Sequence, residues 1–247
     1  NGVVFTISNT LRIGTTSPSS LPSGENFTLR GYAPSFNWLA SDASGFGTLI
    51  RLTGTGRTAV IDIKAGVGRY LRLQDFTVSC ATEGGATYGI YWSQTAHSEH
   101  LLERIHSYRA NRAFGIVRGG YANGEFITLR KCTGKGVTHF WFMDTDTGQS
   151  FNHLLEHCWG GTNDGGTLFE FGGSGLGFGF TAIEFNSSNA ITFGSSTGVT
   201  FIKTNGISGI VNFIGGRLEG ISQVLWSVQG TQNITGKFNF SGVHFDG

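Results

Sequence analysis

Short β-type runs of alternating apolar and polar residues punctuate this chain, and one of them returns at a nearly fixed interval. It reads Leu73-Gln-Asp75-Phe76, Leu102-Glu-Arg104-Ile105, Leu129-Arg-Lys131-Cys132, Leu155-Glu-His157-Cys158 and Ala182-Ile-Glu184-Phe185. Successive copies are 29, 27, 26 and 27 residues apart. A period of that size carried by strands predicts a solenoid in which each repeat is one turn of a coil. The outer slots of the pattern are apolar in every copy and predict a stacked core column. The slot before the last is charged or titratable every time (Asp75, Arg104, Lys131, His157, Glu184) and predicts a polar rail.

Three short strands per coil account for the rest of the pattern. Leu71–Cys80, bending near Asp75, is followed by Tyr88–Trp92, then Leu101–Ser107 and Phe114–Arg118. Phe126–Thr133, His139–Met143, Leu154–Trp159, Leu168–Phe171, Thr181–Asn186 and Ile191–Phe193 continue the series. Glycine pairs and asparagines mark the bends, and no segment sustains a 3.6-residue apolar period with caps, so no long helix is predicted. The stretches from Asn212 and from Asn239 resemble each other, with Leu218 and Phe245 separated by 27 residues, which predicts further coils near the end. The expected organisation is one domain over 1–247: irregular opening coils in 1–70, regular coils in 71–193 and terminal coils in 194–247. Both ends lie in β-like stretches, as expected of a fragment of a longer protein.

Composition supports β structure. The chain has 40 Gly, 3 Pro and only 13% charged residues, while 21 Phe and 5 Trp supply apolar surface to bury. A net charge of +1 steers the chain toward neither nucleic acid nor anionic membranes. No apolar run reaches transmembrane length. Cys80, Cys132 and Cys158 have no metal-ligand spacing, and Cys132 and Cys158 share one core slot of neighbouring coils, where they read as buried thiols. His97-Ser-Glu-His100 lacks a third ligand at suitable spacing and reads as a surface loop. No cofactor is expected.

The opening segment, with Val3–Ile7, Thr10–Ile13, Phe27-Thr-Leu-Arg-Gly31, a glycine-containing loop and Leu49-Ile-Arg-Leu52, resembles the start of the pectate-lyase-like β-helix superfamily. Gly215-Gly-Arg-Leu-Glu-Gly220 resembles late coils of phage tailspike proteins. The resemblance implies an all-β, right-handed, single-stranded parallel β-helix of about 27 residues per coil. It further implies a polysaccharide partner, an extracellular or virion-associated location and a homotrimer.

Candidate chemistry comes from two columns. Aligning the strand after each ladder motif places Tyr91, Val117, Phe142, Glu170 and Thr192 outward, with Asp144 and Asp146 leaving the Phe142 strand on a loop. Glycoside hydrolysis uses two carboxyl groups, roughly 5–10 Å apart, one of them an acid of raised pKa. Glu170 with Asp144 or Asp146 suits that task, with Phe142 and Phe171 supplying desolvation and Tyr91 and Arg118 extending a substrate surface. The alternative is that the aspartates close a turn. The rail, with Arg104, Lys131 and His157 and with Trp159 in the column of His106, supplies the base and cation that β-elimination from a uronate requires. Its alternating signs equally suit a self-neutralising ridge at a bend. Carboxylates on the outward strand favour hydrolysis over elimination, and a non-catalytic binding or structural module of a tail fibre or adhesin stays open.

Overall fold

The structure, a computed structural model, describes residues 2–14, 26–33, 47–64, 70–93, 97–117, 124–144, 150–172, 178–188, 198–205, 209–227 and 236–246. All regular structure among them is β-strand, and the strands pair in parallel as a β-solenoid with about 28 residues between coils. The first coil is β1 (Val3–Ile7), β2 (Leu11–Ile13) and β3 (Phe27–Arg30), and onto it stack β4 (Thr48–Leu52), β5 (Arg57–Ile63) and β6 (Leu71–Cys80). The next strands are β7 (Ala86–Trp92), β8 (His97–Ser98), β9 (Leu101–Tyr108), β10 (Arg112–Val117), β11 (Gly124–Glu125) and β12 (Thr128–Arg130). Then come β13 (Thr133–Asp144), β14 (Ser150–Glu156), β15 (Trp159–Gly172), β16 (Phe178–Ile183) and β17 (Asn186–Ser187). The last are β18 (Val199–Asn205), β19 (Gly209–Ile214), β20 (Arg217–Glu219), β21 (Ile221–Ser227), β22 (Lys237–Ser241) and β23 (His244–Asp246).

These strands build three faces. The first runs β3-β6-β9-β12-β14-β16-β19-β22, the second β1-β4-β6-β9-β13-β15-β17-β20-β23, and the third β2-β5-β7-β10-β13-β15-β18-β21. The apolar slot of the repeat forms one in-register column, Leu29, Leu73, Leu102, Leu129, Leu155, Ala182, Phe213 and Phe240. Leu218 pairs with Phe245, as the terminal repeats predict. Strands before residue 70 obey the same three columns, with longer connections between the first and second coils. Ile191–Phe193, expected as a strand, lies outside the described residues, and the strand paired to β15 on the third face is β18.

The titratable slot is where each coil turns from the first face to the second. Asp75, Arg104, Lys131, His157 and Glu184 have φ of 63°, 52°, 52°, 52° and 49°, and Gly215 and Gly242 take the same position at 66° and 67°. The left-handed residue bends the chain while its amide keeps the ladder. The amides of Lys131, His157 and Glu184 donate to the carbonyls of Glu156, Ile183 and Ile214 on the following coil at 2.9, 2.9 and 2.8 Å. A second left-handed column, Tyr70, Glu99, Phe126 and Asn152, turns the chain into the first face.

Between the faces lies a continuous apolar core. It includes a cluster of rings in which Phe169 meets Phe140, Phe185, Phe201 and Phe213 at centroid distances of 6.0, 4.7, 5.6 and 5.0 Å. Small residues on the second face admit these rings. A Cβ on Gly160 would stand 2.9 Å from Phe185 and 3.0 Å from Leu168. Cys132 and Cys158 are buried free thiols whose Sγ atoms donate to the carbonyls of Leu102 and Leu129.

Candidate functional site

The outward side of the third face is organised by a repeated break in alternation. Four successive strands there, β10, β13, β15 and β18, carry two consecutive core residues: Ala113-Phe114, Phe140-Trp141, Leu168-Phe169 and Phe201-Ile202. The residues before and after each doublet are thereby carried to the outer side. With Asp62 of β5 and Tyr88 and Tyr91 of β7 in register, they form two outward rows: Tyr88, Arg112, His139, Thr167 and Thr200, and beside it Asp62, Tyr91, Gly115, Phe142, Glu170 and Lys203.

This register corrects part of the expected column. Tyr91, Phe142 and Glu170 do share one row, but the position between Tyr91 and Phe142 belongs to Gly115, because Val117 pairs with Asp144. The slot beyond Glu170 belongs to Lys203, and Thr192 lies outside the described residues. Phe114-Gly115-Ile116 is the in-register triplet, and a glycine at its centre gave no side-chain signal. The Asp144 backbone pairs with Gly172, while the Asp144 side chain, Asp146 and Arg118 lie outside the described residues.

Gly115 is required by its neighbour. A Cβ there would come within 2.2 Å of Tyr88 Cε1, so the Tyr88 ring lies across the glycine. That ring stacks on Tyr91 at 4.3 Å with an interplanar angle of 12°, and its hydroxyl accepts a 2.6 Å hydrogen bond from Arg112. The Arg112 guanidinium lies 3.6 Å from the Phe142 centroid and 5.2 Å from that of Tyr88. Tyr91 and Phe142 remain half-buried, so the patch presents ring surface and one cation to solvent.

Next along the row, Glu170 is clamped. Its Oε2 is 2.8 Å from His139 Nε2 and its Oε1 is 3.2 Å from Lys203 Nζ. His139 Nδ1 is 2.9 Å from the Thr138 hydroxyl, which itself donates to the Asn111 carbonyl at 2.6 Å. Burial pushes the Glu170 carboxyl pKa up, but the hydrogen bond and charge of His139 and then Lys203 outweigh it and hold the group below the ordinary glutamate value. Desolvation by Phe142 and Phe171 therefore does not make Glu170 the protonated acid. Phe171 points into the core, and Glu170 is a carboxylate, suited to a base or nucleophile.

The rail residues lie elsewhere. Arg104, Lys131 and His157 stand at the corner between the first and second faces, which in a three-sided coil lies across the core from the third. Arg104 donates to Asp75 at 2.5 and 3.1 Å and pairs with Glu103 at 2.8 Å. His157 faces Glu184 at 2.9 Å, and Arg130 pairs with Glu156 at 2.7 Å. The hydrogen bond from Arg104 leads in depressing the Asp75 carboxyl. On the rail, Arg104 and Asp75 are thus ion-paired, and His157 and Glu184 lie in contact. Trp159 follows Thr133 and His106 in one column of the second face, as expected, with its ring over Gly161. These four candidates do not converge with Glu170.

Two further histidines are interior. His100, expected on a surface loop, is buried and accepts a hydrogen bond from Trp92 Nε1 at 3.1 Å. His153 packs 5.9 Å from the Trp141 ring. Tyr88, Arg112, His139 and Lys203 escaped the sequence reading. Their signal is the polar residue before or after a core doublet, recurring with each coil. Among the described residues no group of three or more His, Cys, Asp and Glu is arranged to hold a metal ion. No protein-family model, curated protein or solved structure matches the chain, so what places it among known proteins is its architecture, a parallel β-solenoid.

Proposed function

We propose that this solenoid is a carbohydrate-active protein that binds an extended polysaccharide along its third face and cleaves it there by hydrolysis. The observation that carries the reading is the row Tyr91, Gly115, Phe142, Glu170, Lys203, in which ring surface leads directly to an ionised carboxylate on stacked rungs. Sugar C–H faces pack on aromatic rings, and a row of regularly spaced rungs suits a repeating polymer. Glu170 serves as the base or nucleophile, with Asp144 or Asp146 proposed as the acid. Membership of the tailspike depolymerase type, a location outside the cell or on a virion and assembly as a homotrimer belong to the same proposal.

A second reading has its own support. Both carboxylate oxygens of Glu170 are engaged, one by the Lys203 ammonium and one by a His139 ring nitrogen, an arrangement suited to a structural role, and this favours a non-catalytic glycan-binding module. Incubation with a panel of polysaccharides, followed by reducing-end and unsaturated-product assays, separates the readings. Hydrolysis yields reducing ends without unsaturated absorbance, and Glu170→Gln lowers turnover by roughly 10²–10⁴-fold while binding persists. Unsaturated product transfers the assignment to elimination. Binding without turnover across the panel leaves the binding module, and full activity after replacement of Glu170, Asp144 and Asp146 together removes the hydrolytic site.

A further inference from the structure

Charge on the third face is not balanced. Asp62 is paired with Lys64 at 2.9 Å, and Glu170 is shared by His139 and Lys203. Arg112 meets no carboxylate among the described residues; its contacts are the Tyr88 hydroxyl and the Phe142 and Tyr88 rings. A half-buried guanidinium held against two rings is fixed in orientation. One of its five N–H donors is used on Tyr88, and stacking occupies the faces of the guanidinium plane rather than its edges. What remains is an oriented cationic fork, beside the half-buried rings of Tyr91 and Phe142, with no acidic partner.

We infer that Arg112 selects an acidic glycan: a polymer whose repeating unit carries a carboxylate, held by the guanidinium edge while the sugar ring packs on Tyr91 and Phe142. This rests on the proposed use of the third face for polysaccharide, and adds the substrate class. A carboxylate fits the fork by two parallel N–H···O bonds and supplies a counter-charge, whereas a neutral hydroxyl supplies none. Lys203 and His139 compete poorly for the same group because each already faces a Glu170 carboxylate oxygen, at 3.2 and 2.8 Å. The preference therefore resides in one side chain.

The test uses the full chain with polygalacturonate, alginate and hyaluronan, the carboxyl-reduced form of each, and neutral dextran, xylan and mannan, with binding measured by calorimetry and by retardation in glycan-containing gels. At least one acidic polymer is expected to bind, with carboxyl reduction weakening it tenfold or more and rising salt weakening it further. Arg112→Gln is expected to remove that preference, and Arg112→Lys to restore part of it, since charge returns without the fork. Circular dichroism of each variant, together with Tyr91→Ala as a ring-only loss that weakens acidic and reduced polymers alike, separates lost recognition from lost fold. Equal binding of an acidic polymer and its reduced form, or an unchanged preference in Arg112→Gln, overturns the inference while leaving glycan binding standing. Binding of neutral polymers alone does the same. Absence of binding to every polymer removes both this inference and the function on which it rests.

Discussion

A lysine, an arginine, a histidine, an aspartate and a glutamate occupy one backbone conformation that L-residues avoid. Placing a non-glycine residue in the left-handed region costs about 1–2 kcal/mol, and the corner between the first and second faces does so on five successive coils before glycine takes over at Gly215 and Gly242. What the position demands is a side chain without a branched Cβ; Lys131, His157 and Glu184 are exposed there, while Asp75 is buried against Arg30 and Arg104. Lys131 tests this directly. Lys131→Asn, which tolerates the left-handed region, is expected to leave the urea midpoint nearly unchanged. Lys131→Val is expected to lower stability by about 1–3 kcal/mol, because a β-branched side chain is strained there. Under the proposed function, folded variants of both kinds should match the parent in any glycan binding. A loss of glycan binding in well-folded Lys131→Asn would return the rail to the functional site.

Strands were legible in this sequence to the extent that their side chains alternated. The ladder slots Leu102, Leu129 and Leu155 announced the first face because an apolar residue stands at a fixed distance from a charged one on every coil. The third face was harder to place, because doublets such as Phe140-Trp141 break the period of two and Gly115 leaves its row unmarked. His139 and Arg112 were hidden for the same reason. Burial of polar groups is also unreadable from period alone, as the inward column Leu71, His100, Ile127, His153, Phe180 shows. Burial lowers the pKa of His153 to about 3, and burial followed by the charge of Lys135 lowers that of His106 to about 3. Folded chains keep both rings neutral where unfolded chains bind protons below pH 6.5. Their stabilising contribution is therefore complete above that pH and declines as pH falls from there toward 3. At pH 5 the loss is about 2 kcal/mol per histidine. Asp75 and Glu170, with depressed pKa values, lose their contributions only at lower pH. Denaturant melts of the parent and of His153→Leu at pH 7 and pH 5 should show a shallower acid decline in the variant. Equal declines would mean that His153 protonates without unfolding the coil.

In the whole molecule, each coil is stabilised chiefly by the coil on either side, so stability is a nearest-neighbour quantity. The outermost described strands have one neighbour instead of two, and they expose residues that inner coils bury. Phe5 is 56% exposed and Phe240 41%, while Phe140, Trp141 and Phe169 are wholly buried. In the 1–247 chain taken by itself, opening should therefore begin at the two edges and move inward, with amide exchange fastest in β1–β3 and β21–β23 and slowest in β13 and β15. The rows from Tyr91 to Lys203 lie on β7, β10, β13, β15 and β18, in the interior of that gradient. Such a placement gives the third face regular rungs at a spacing of ~4.8 Å, so a polymer bound as proposed would meet a surface that is already ordered. A glycan seated there contacts the middle coils directly and should slow exchange in β7 to β18 well beyond any change at the edges. Hydrogen-exchange mass spectrometry with and without the bound polymer reads both effects in one experiment. Uniform protection along the free chain would contradict the nearest-neighbour picture. Protection concentrated on β9, β12 and β14 would move the glycan from the third face to the first and its rail.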